Sequence, residues 1–506
     1  MTKQELLNIV DKLADKFYGA GVTNPITYIE QISLLFFLKM LEEWDDASTQ
    51  ADRISGREPK SSFDGQNEKF RWSFWSVNPN NEEMFKFVRD GVIPFMVDIP
   101  QHDDVKRFFR DVRYSMPDAI TLREVVDIIS KINFSQLDAD TKGDAYEHLI
   151  SKLAVAKRMG AFRTPRHIIR TIVEMVDPKL GQTILDPACG TAGFLLAAYE
   201  HIKAANSENP EEVITENGSK FLKGHGDNIR EADWEILQSK TFYGFDVSPD
   251  ITKIALMNMV LHGLDASNVF RRDSLAGSSD EFETMSFDVV LANPPFAADV
   301  ALERIRPILP IKSKDSTILF LGLMVDSLKP GGVCGVIVNE GFLFGRNNAA
   351  MQIRKYILDK TELQAVVSLP QGVFNPYAGV KTSFLIFKNT GKPTEKVWFY
   401  EVERDGYSTG TNRHPQPDKN DLPDLLKRWE EIKKKGASQS EASAKDWTAD
   451  RKKIEENDFT LSANAYKPAS LGNEISHQQP GEILKEIDSI AIEIENQKKI
   501  IKKLIT

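Results

Sequence analysis

The stretch Thr183-Ile184-Leu185-Asp186-Pro187-Ala188-Cys189-Gly190-Thr191-Ala192-Gly193-Phe194 carries a short apolar strand into a loop of small residues, and residues 195–203 continue it as a helix. Small residues at 190, 192 and 193 let a ligand approach the backbone where strand turns into helix, as in nucleotide-binding crevices; a tight structural turn would use the same residues. No Lys-Ser/Thr pair follows the glycines, so the loop does not cradle phosphates in the manner of a P-loop enzyme. Further apolar runs at 241–245, 287–291, 333–338, 364–369 and 383–387 alternate with helical segments. Strands alternating with helices predict right-handed crossovers and an α/β fold, a doubly wound, Rossmann-like parallel sheet.

Two acids extend the pattern. Asp246 ends the next strand, where a carboxylate can take ribose hydroxyls, and Asp273 follows the third, where one can accept from an adenine amine. The run 287–292 then leads into Asn293-Pro294-Pro295-Phe296. An amide and a proline carbonyl can accept the two hydrogens of an exocyclic amine, and a ring can stack on its base. A strand-ending turn would also use Asn and Pro. The order of glycine loop, acid, acid and Asn-Pro-Pro-Phe fits methyl transfer from S-adenosylmethionine, whereas a dehydrogenase would leave the tetrapeptide unexplained. A C5-cytosine methylase would need a cysteine nucleophile, normally in a Pro-Cys pair; Cys189 follows Ala188, and Cys334 lies inside an apolar strand.

The rest of the chain frames this centre. Its 506 residues suggest about three domains. The partition reads as an N-terminal all-α domain at 1–140, a catalytic domain at 141–405, a connector at 406–475 and a C-terminal coiled-coil helix at 476–506. Leu6, Leu7, Val10, Leu13 and Phe17 recur at helical spacing, as do Ile29, Ile32, Leu35, Phe36 and Met40. Residues 56–65 form a polar break, 119–154 read as further helix, and 319–328 as a helix closed by a turn at 329–332. Residues 297–315 form a long loop after the tetrapeptide. Near the end, Ile483, Ile487, Ile490, Ile494, Gln497, Ile501 and Leu504 mark a heptad seam that calls for another helix.

With 41% hydrophobic and 27% charged residues, no apolar stretch of membrane-spanning length and no signal-peptide core, the chain reads as cytoplasmic, with no membrane association. Two cysteines make neither a disulfide framework nor a zinc site, and no metal is expected. A net charge of −10 sits awkwardly with DNA binding, since Lys and Arg contacts normally supply most of the affinity. Either local basic groups (Arg158, Arg163, Arg166 and Arg170; Arg304, Arg306, Lys312 and Lys314) or a partner must hold the nucleic acid.

Four segments together, 143–150 (Gly-Asp-Ala-Tyr-Glu-His-Leu-Ile), 162–166 (Phe-Arg-Thr-Pro-Arg), 186–194 and 293–296, resemble the modification subunit of type I restriction-modification systems, among the N6-adenine DNA methyltransferases. Arg163 departs from the Tyr-Phe-Thr-Pro pattern of many relatives and leaves Phe162 as the aromatic member. The resemblance implies a DNA adenine methylase with Asn293, Pro294, Pro295 and Phe296 as the catalytic centre, acting on an adenine flipped out of double-stranded DNA. It implies an S-adenosylmethionine site built from Phe162, Thr164, Pro165, Asp186, Pro187, Ala188, Gly190, Thr191, Gly193, Phe194, Asp246, Asp273 and Asn293. It further implies a specificity subunit docked on the C-terminal helix, a second copy of this chain and a restriction (nuclease/translocase) subunit. The alternatives are a stand-alone N6-adenine or N4-cytosine methylase and, in another class, an inactive cofactor-binding scaffold; a glutamine-modifying protein methylase would not call for the helical N-terminal region.

Overall fold

The computed structural model describes residues 2–99, 109, 112–152, 164–265, 268–276, 284–296, 298–301, 305, 309–375, 379–410, 413–435 and 443–468. Phe162, Arg158, Arg163, Arg304, Arg306 and the heptads of 476–506 lie outside the described residues.

The N-terminal region is helical, as its spacing predicts. Helix α1 (Lys3–Gly19) opens with a capping box between Thr2 and Glu5, and α2 (Pro25–Ile54) starts on the Asn24 side chain with Pro25 in its first turn. The helix expected over 119–154 forms as two elements, α3 (Ala119–Ile129) and α4 (Ala139–Ser151). Asp138 accounts for the restart, because its carboxylate accepts from the Thr141 N–H and caps α4.

The strands are β1 (Ile184–Asp186), β2 (Glu211–Ile214), β3 (Lys220–Lys223), β4 (Phe242–Asp246), β5 (Val269–Arg271), β6 (Phe287–Ala292), β7 (Leu328–Asn339), β8 (Glu362–Ser368), β9 (Thr382–Lys388), β10 (Lys396–Glu401), β11 (Asp405–Tyr407), β12 (Pro415–Asn420) and β13 (Asp446–Asp450). Nine of them form one sheet in the order β13-β10-β8-β9-β7-β6-β1-β4-β5, while β2-β3 and β11-β12 are separate pairs. The sheet is mixed, which corrects the expectation of a parallel one: β9 runs antiparallel to both β7 and β8, and β13 antiparallel to β10. The Leu369 N–H donates to the Thr382 carbonyl and ties the β8–β9 return like a hairpin, so no crossover is needed there. The turn expected at 329–332 falls inside β7, where Gly331 has φ 83° and the register against β6 shifts.

Helices α5 (Arg166–Val176), α6 (Gly193–Ala205), α7 (Pro249–Leu261), α8 (Ser316–Asp326), α9 (Asn348–Lys360) and α10 (Leu422–Lys435) surround the sheet. Both sheet faces are buried, and neighbouring strand residues divide between two cores. Val289 and Leu291 of β6 join the cluster formed with α5, α6 and α7, whereas Val290 and Ala292 join the one formed with α8 and α9. That division is the doubly wound arrangement. The first cluster runs on into α1 and α2, so the helical region shares a core with one face of the sheet. The stretch from 406, expected as a connector, holds β11, β12, α10 and β13 among its described residues; Trp429 of α10 donates to the Met175 carbonyl at 2.9 Å and stacks on Trp398. No helix among the described residues is long and apolar enough to cross a membrane, and no group of three or more His, Cys, Asp or Glu there is placed to hold a metal.

Candidate active site

Between β1 and α6 the chain turns through two left-handed residues, Gly190 (φ 53°) and Ala192 (φ 66°). Holding an alanine there costs about 1 kcal/mol, offset by its N–H bond to the Cys189 carbonyl at 2.8 Å. A Cβ on Gly190 would meet no atom within 4 Å, so open space lies over the loop backbone. At Gly193 a Cβ would sit 3.1 Å from Ile169 Cδ1, and the missing side chain lets α6 pack close to α5. The loop, Thr164 and Asn293 enclose a cavity of about 70 Å³, lined also by Asp186, Ala188, Gly190, Thr191, Gly193 and Phe194. It adjoins a cavity of about 850 Å³ through the shared residues Thr164, Arg166, Arg170 and Glu200, and Pro165 lines that larger space.

Asp186 is fully buried and accepts from the Ala188 N–H at 3.0 Å. Burial pushes its carboxyl up to about 8 against the pull of that N–H, and the neighbouring Asp246 adds to the rise. Asp246 is raised by burial too, opposed by hydrogen bonds from the Ser248 and Gly190 N–H groups. A carboxyl whose folded pKa stands above its unfolded value near 4 is a stability cost that grows as pH climbs from about 4 to about 8. Asp186→Asn should therefore be more heat-stable than the native chain at pH 8, by on the order of a few kcal/mol, with the advantage shrinking towards pH 5. The melting temperature of both proteins across that pH range checks it; a constant difference would refute the assignment.

Asn293 leaves the end of β6 with its Nδ2 donating to Thr164 Oγ1 at 2.8 Å. Its Oδ1 is buried and has no hydrogen-bond partner among the described residues. An unsatisfied buried acceptor costs roughly 1–3 kcal/mol, which a ligand donor would recover. Pro294 is buried, Pro295 exposed, and Phe296 half-buried against the first core cluster. The Pro295 carbonyl is taken by the Ser316 hydroxyl at 2.8 Å, and the same hydroxyl accepts from the Ala298 N–H, so the start of α8 braces the tetrapeptide.

Of the residues singled out from sequence, Thr164, Asp186, Ala188, Gly190, Thr191, Gly193, Phe194 and Asn293 come together around one cavity. Pro187, Asp246, Asp273, Pro294, Pro295 and Phe296 lie outside that lining. Asp246 nonetheless meets the loop through Gly190, and the Pro187 carbonyl accepts from Ser274 at 2.6 Å beside Asp273. Asp273 itself accepts from the Leu275 N–H at 3.0 Å. Cys189 and Cys334 are buried, and burial pushes both thiols well up, so neither is poised as a nucleophile.

Supporting residues surround this cavity, some of them without a separate reading in the sequence. Glu147, on α4, accepts from Asn258 of α7 at 2.8 Å, and that amide also donates to the Thr191 carbonyl at 2.8 Å. Arg166 lies 3.4 Å from Glu147 and 3.7 Å from Asp144, and Arg170 lies 3.3 Å from Glu200. These two arginines of the first basic group thus face carboxylates, whereas Lys312 and Lys314 are exposed. A Cβ on Gly143 would fall 2.3 Å from the His262 ring, which brings α4 hard against the end of α7. The segment 143–150 therefore braces the loop from behind. Glu147 and the Arg166 that follows Thr-Pro were legible as parts of motifs; Asn258, inside an apolar helix, left no signal.

A doubly wound sheet whose carboxyl edge brings a glycine loop, two acids and an Asn-Pro-Pro-Phe turn together defines a methyltransferase fold. The N-6 DNA Methylase model matches residues 137–474, and the HsdM N-terminal domain model matches residues 6–129. The chain is 30% identical over 412 residues to the type I restriction enzyme EcoEI methylase subunit of Escherichia coli, covering 79% of this chain and 75% of that protein. To the EcoKI methylase subunit of Escherichia coli K12 it is 28% identical over 448 residues, covering 82% and 76%. A chain from a structure on complex assembly and conformational transition of the type I R-M system superposes with a TM-score of 0.73 at 27% identity, covering 100% of this chain and 99% of that one. The type I methyltransferase subunit of Streptococcus thermophilus shares the fold, with a TM-score of 0.69 at 18% identity and coverage of 92% and 100%. The chain belongs to the N-6 DNA methylase family, as a modification subunit of a type I restriction-modification system.

Proposed function

We propose that this subunit transfers a methyl group from S-adenosylmethionine to the exocyclic N6 of an adenine flipped out of double-stranded DNA, at a site chosen by a separate specificity subunit. The observation that carries the reading is the buried Asn293 Oδ1 without a hydrogen-bond partner among the described residues, on a cavity shared with the glycine loop. The residues present fit the cofactor: open space over Gly190 lets a ligand approach the loop backbone, and the carboxyls of Asp186 and Asp246 can accept from hydroxyls or an ammonium. Thr164, Pro165, Pro187, Ala188, Thr191, Gly193 and Phe194 complete the cradle, with Phe162 joining it by family resemblance. Asp273 would accept from the adenine of the cofactor.

When bound, S-adenosylmethionine supplies an electrophilic methyl group on a sulfonium. Asn293 Oδ1 and the Pro294 carbonyl accept the two hydrogens of the target amine, drawing electron density onto the nitrogen and stabilising the charge that develops there. Phe296 stacks on the extruded base, and Pro295, bonded to Ser316, holds the turn rigid. Thus the chain acts by position and hydrogen bonding, without a covalent nucleophile.

The domain reading accompanies this proposal: helical 1–140, a catalytic domain that starts at 141 and runs past the expected limit of 405 to include β13 of its sheet, and a C-terminal segment at 476–506 whose heptad seam packs on the specificity subunit in the cytoplasm. A second copy of the chain and a restriction (nuclease/translocase) subunit complete the assembly. The acidic net charge of −10 supports a partner that shares the grip on DNA. The test is tritiated methyl transfer to DNA by this chain alone and co-expressed with a two-repeat specificity protein, with the modified base mapped. Label in adenine N6 from the complex alone is the expected result. Activity of the lone chain would remove the partner dependence, and label in cytosine N4 would reassign the amine.

A further inference from the structure

We propose that Thr164 is a positioning residue, whose hydroxyl anchors the Asn293 amide in the orientation that leaves Oδ1 for the target amine. This rests on the reading of Asn293 as the acceptor of that amine. An asparagine offers an acceptor on one side and two donors on the other, and its terminal torsion is broad and soft, so the side chain does not choose its own face. In this chain Nδ2 donates to Thr164 Oγ1 at 2.8 Å, which leaves the buried Oδ1 as the amide's unpartnered atom among the described residues. Turned over, the amide would set N–H against N–H, and the amine would lose its acceptor.

Thr164 is well placed to hold the amide. Its residue is only 6% exposed and lines the same cavity as Asn293. It directly precedes Pro165, whose fixed φ starts α5 and whose carbonyl accepts from the Ile168 and Ile169 N–H groups. The next two side chains are anchored in different parts of the fold: Arg166 beside Glu147 and Asp144 of α4, and His167 with its Nε2 2.8 Å from Asp405 of β11. The hydroxyl is thus presented from a clamped helix start, as a precise constellation requires. The Thr-Pro segment gains a role apart from touching the cofactor: it holds the reacting amide in place.

The experiment uses the full chain in complex with its specificity subunit and measures kcat for methyl transfer alongside S-adenosylmethionine affinity by equilibrium dialysis. Thr164→Val keeps the backbone and one methyl of this cradle residue and should lower kcat by roughly ten- to a hundredfold, with a clearly smaller loss of cofactor affinity, because the hydroxyl that holds the reacting amide is what the change removes. Thr164→Ser keeps the hydroxyl and should hold kcat within about threefold of the native value. Thr164→Ala removes the hydroxyl without bulk and should give the same split as valine, which guards against a misfolded variant. A native kcat in Thr164→Val and Thr164→Ala, equal losses in Thr164→Ser, or a loss confined to cofactor affinity would each overturn the proposal. Asn293→Ala in the same assay separates the two readings, since retained activity there removes the acceptor role itself rather than its positioning.

Discussion

Asn293→Ala should reduce methyl transfer by about 10²–10³-fold while S-adenosylmethionine binding changes by no more than a few-fold. The asymmetry follows from where its polar atoms lie. The cofactor cradle is anchored by the loop between β1 and α6 and by Asp186, none of which depends on the Asn293 side chain for a hydrogen bond among those described. The amide instead spends its Nδ2 on Thr164 and leaves Oδ1 buried without a described partner. Deleting an acceptor that the substrate amine alone would satisfy removes an interaction felt most as charge develops on nitrogen, so kcat falls rather than cofactor affinity. The variant should also fold at least as well as the native chain: the lost bond to Thr164 contributes about 1 kcal/mol, and the unsatisfied Oδ1 it removes costs about as much. Single-turnover methylation with equilibrium dialysis and a denaturation curve tests all three statements. Unchanged methylation would dismiss the assignment, and a collapse of stability would show that the amide serves the fold instead.

The parts of the molecule that were readable from sequence are those where local chemistry and tertiary role coincide. The apolar runs ending in Asp186, Asp246 and Asn293 became β1, β4 and β6 because strands buried on both faces read as near-continuous apolar segments. Their ends define the site because ligands gather at the carboxyl edge of such sheets. What escaped was structure set by partners distant in sequence. Strand β13 is five residues, Asp-Trp-Thr-Ala-Asp, and becomes a strand by antiparallel pairing with β10; only Trp447 and Ala449 carry its apolar side. The β2 and β3 hairpin is short and mostly exposed, with even Ile214 and Leu222 facing out. The antiparallel direction of β9 is equally invisible, since Ser383 to Phe387 read the same either way and the Leu369 to Thr382 bond decides it. At the site, the sequence offered Thr164 and Asn293 as separate candidates 129 positions apart, and only folding brings them to 2.8 Å.

Lys253→Met should destabilise the chain by about 3–5 kcal/mol, the second large effect expected, because it strands a buried carboxylate. Lys253 on α7 and Glu30 on α2 lie 2.7 Å apart, with both side chains only 7% exposed. Methionine matches the lysine stem but leaves Glu30 without its counter-ion inside the core shared by the helical region and the sheet. Restoring neutrality should restore stability: Glu30→Leu combined with Lys253→Met is expected to come within about 1 kcal/mol of the native chain or exceed it, since two desolvated charges contribute little net stability once both are removed. The pair also bears on the active site. Five residues beyond Lys253, Asn258 bonds both Glu147 and the Thr191 carbonyl, and Tyr146 beside Glu147 meets Ser33 of α2 at 2.6 Å. Loosening α2 from α7 therefore frees the brace behind the cofactor loop. The single variant should lose cofactor affinity along with stability, and the double variant should regain both in parallel. Urea denaturation and equilibrium dialysis on the three proteins decide it. A double variant that is stable yet binds cofactor poorly would break the link between the helical region and the loop, leaving the ion pair a matter of docking alone.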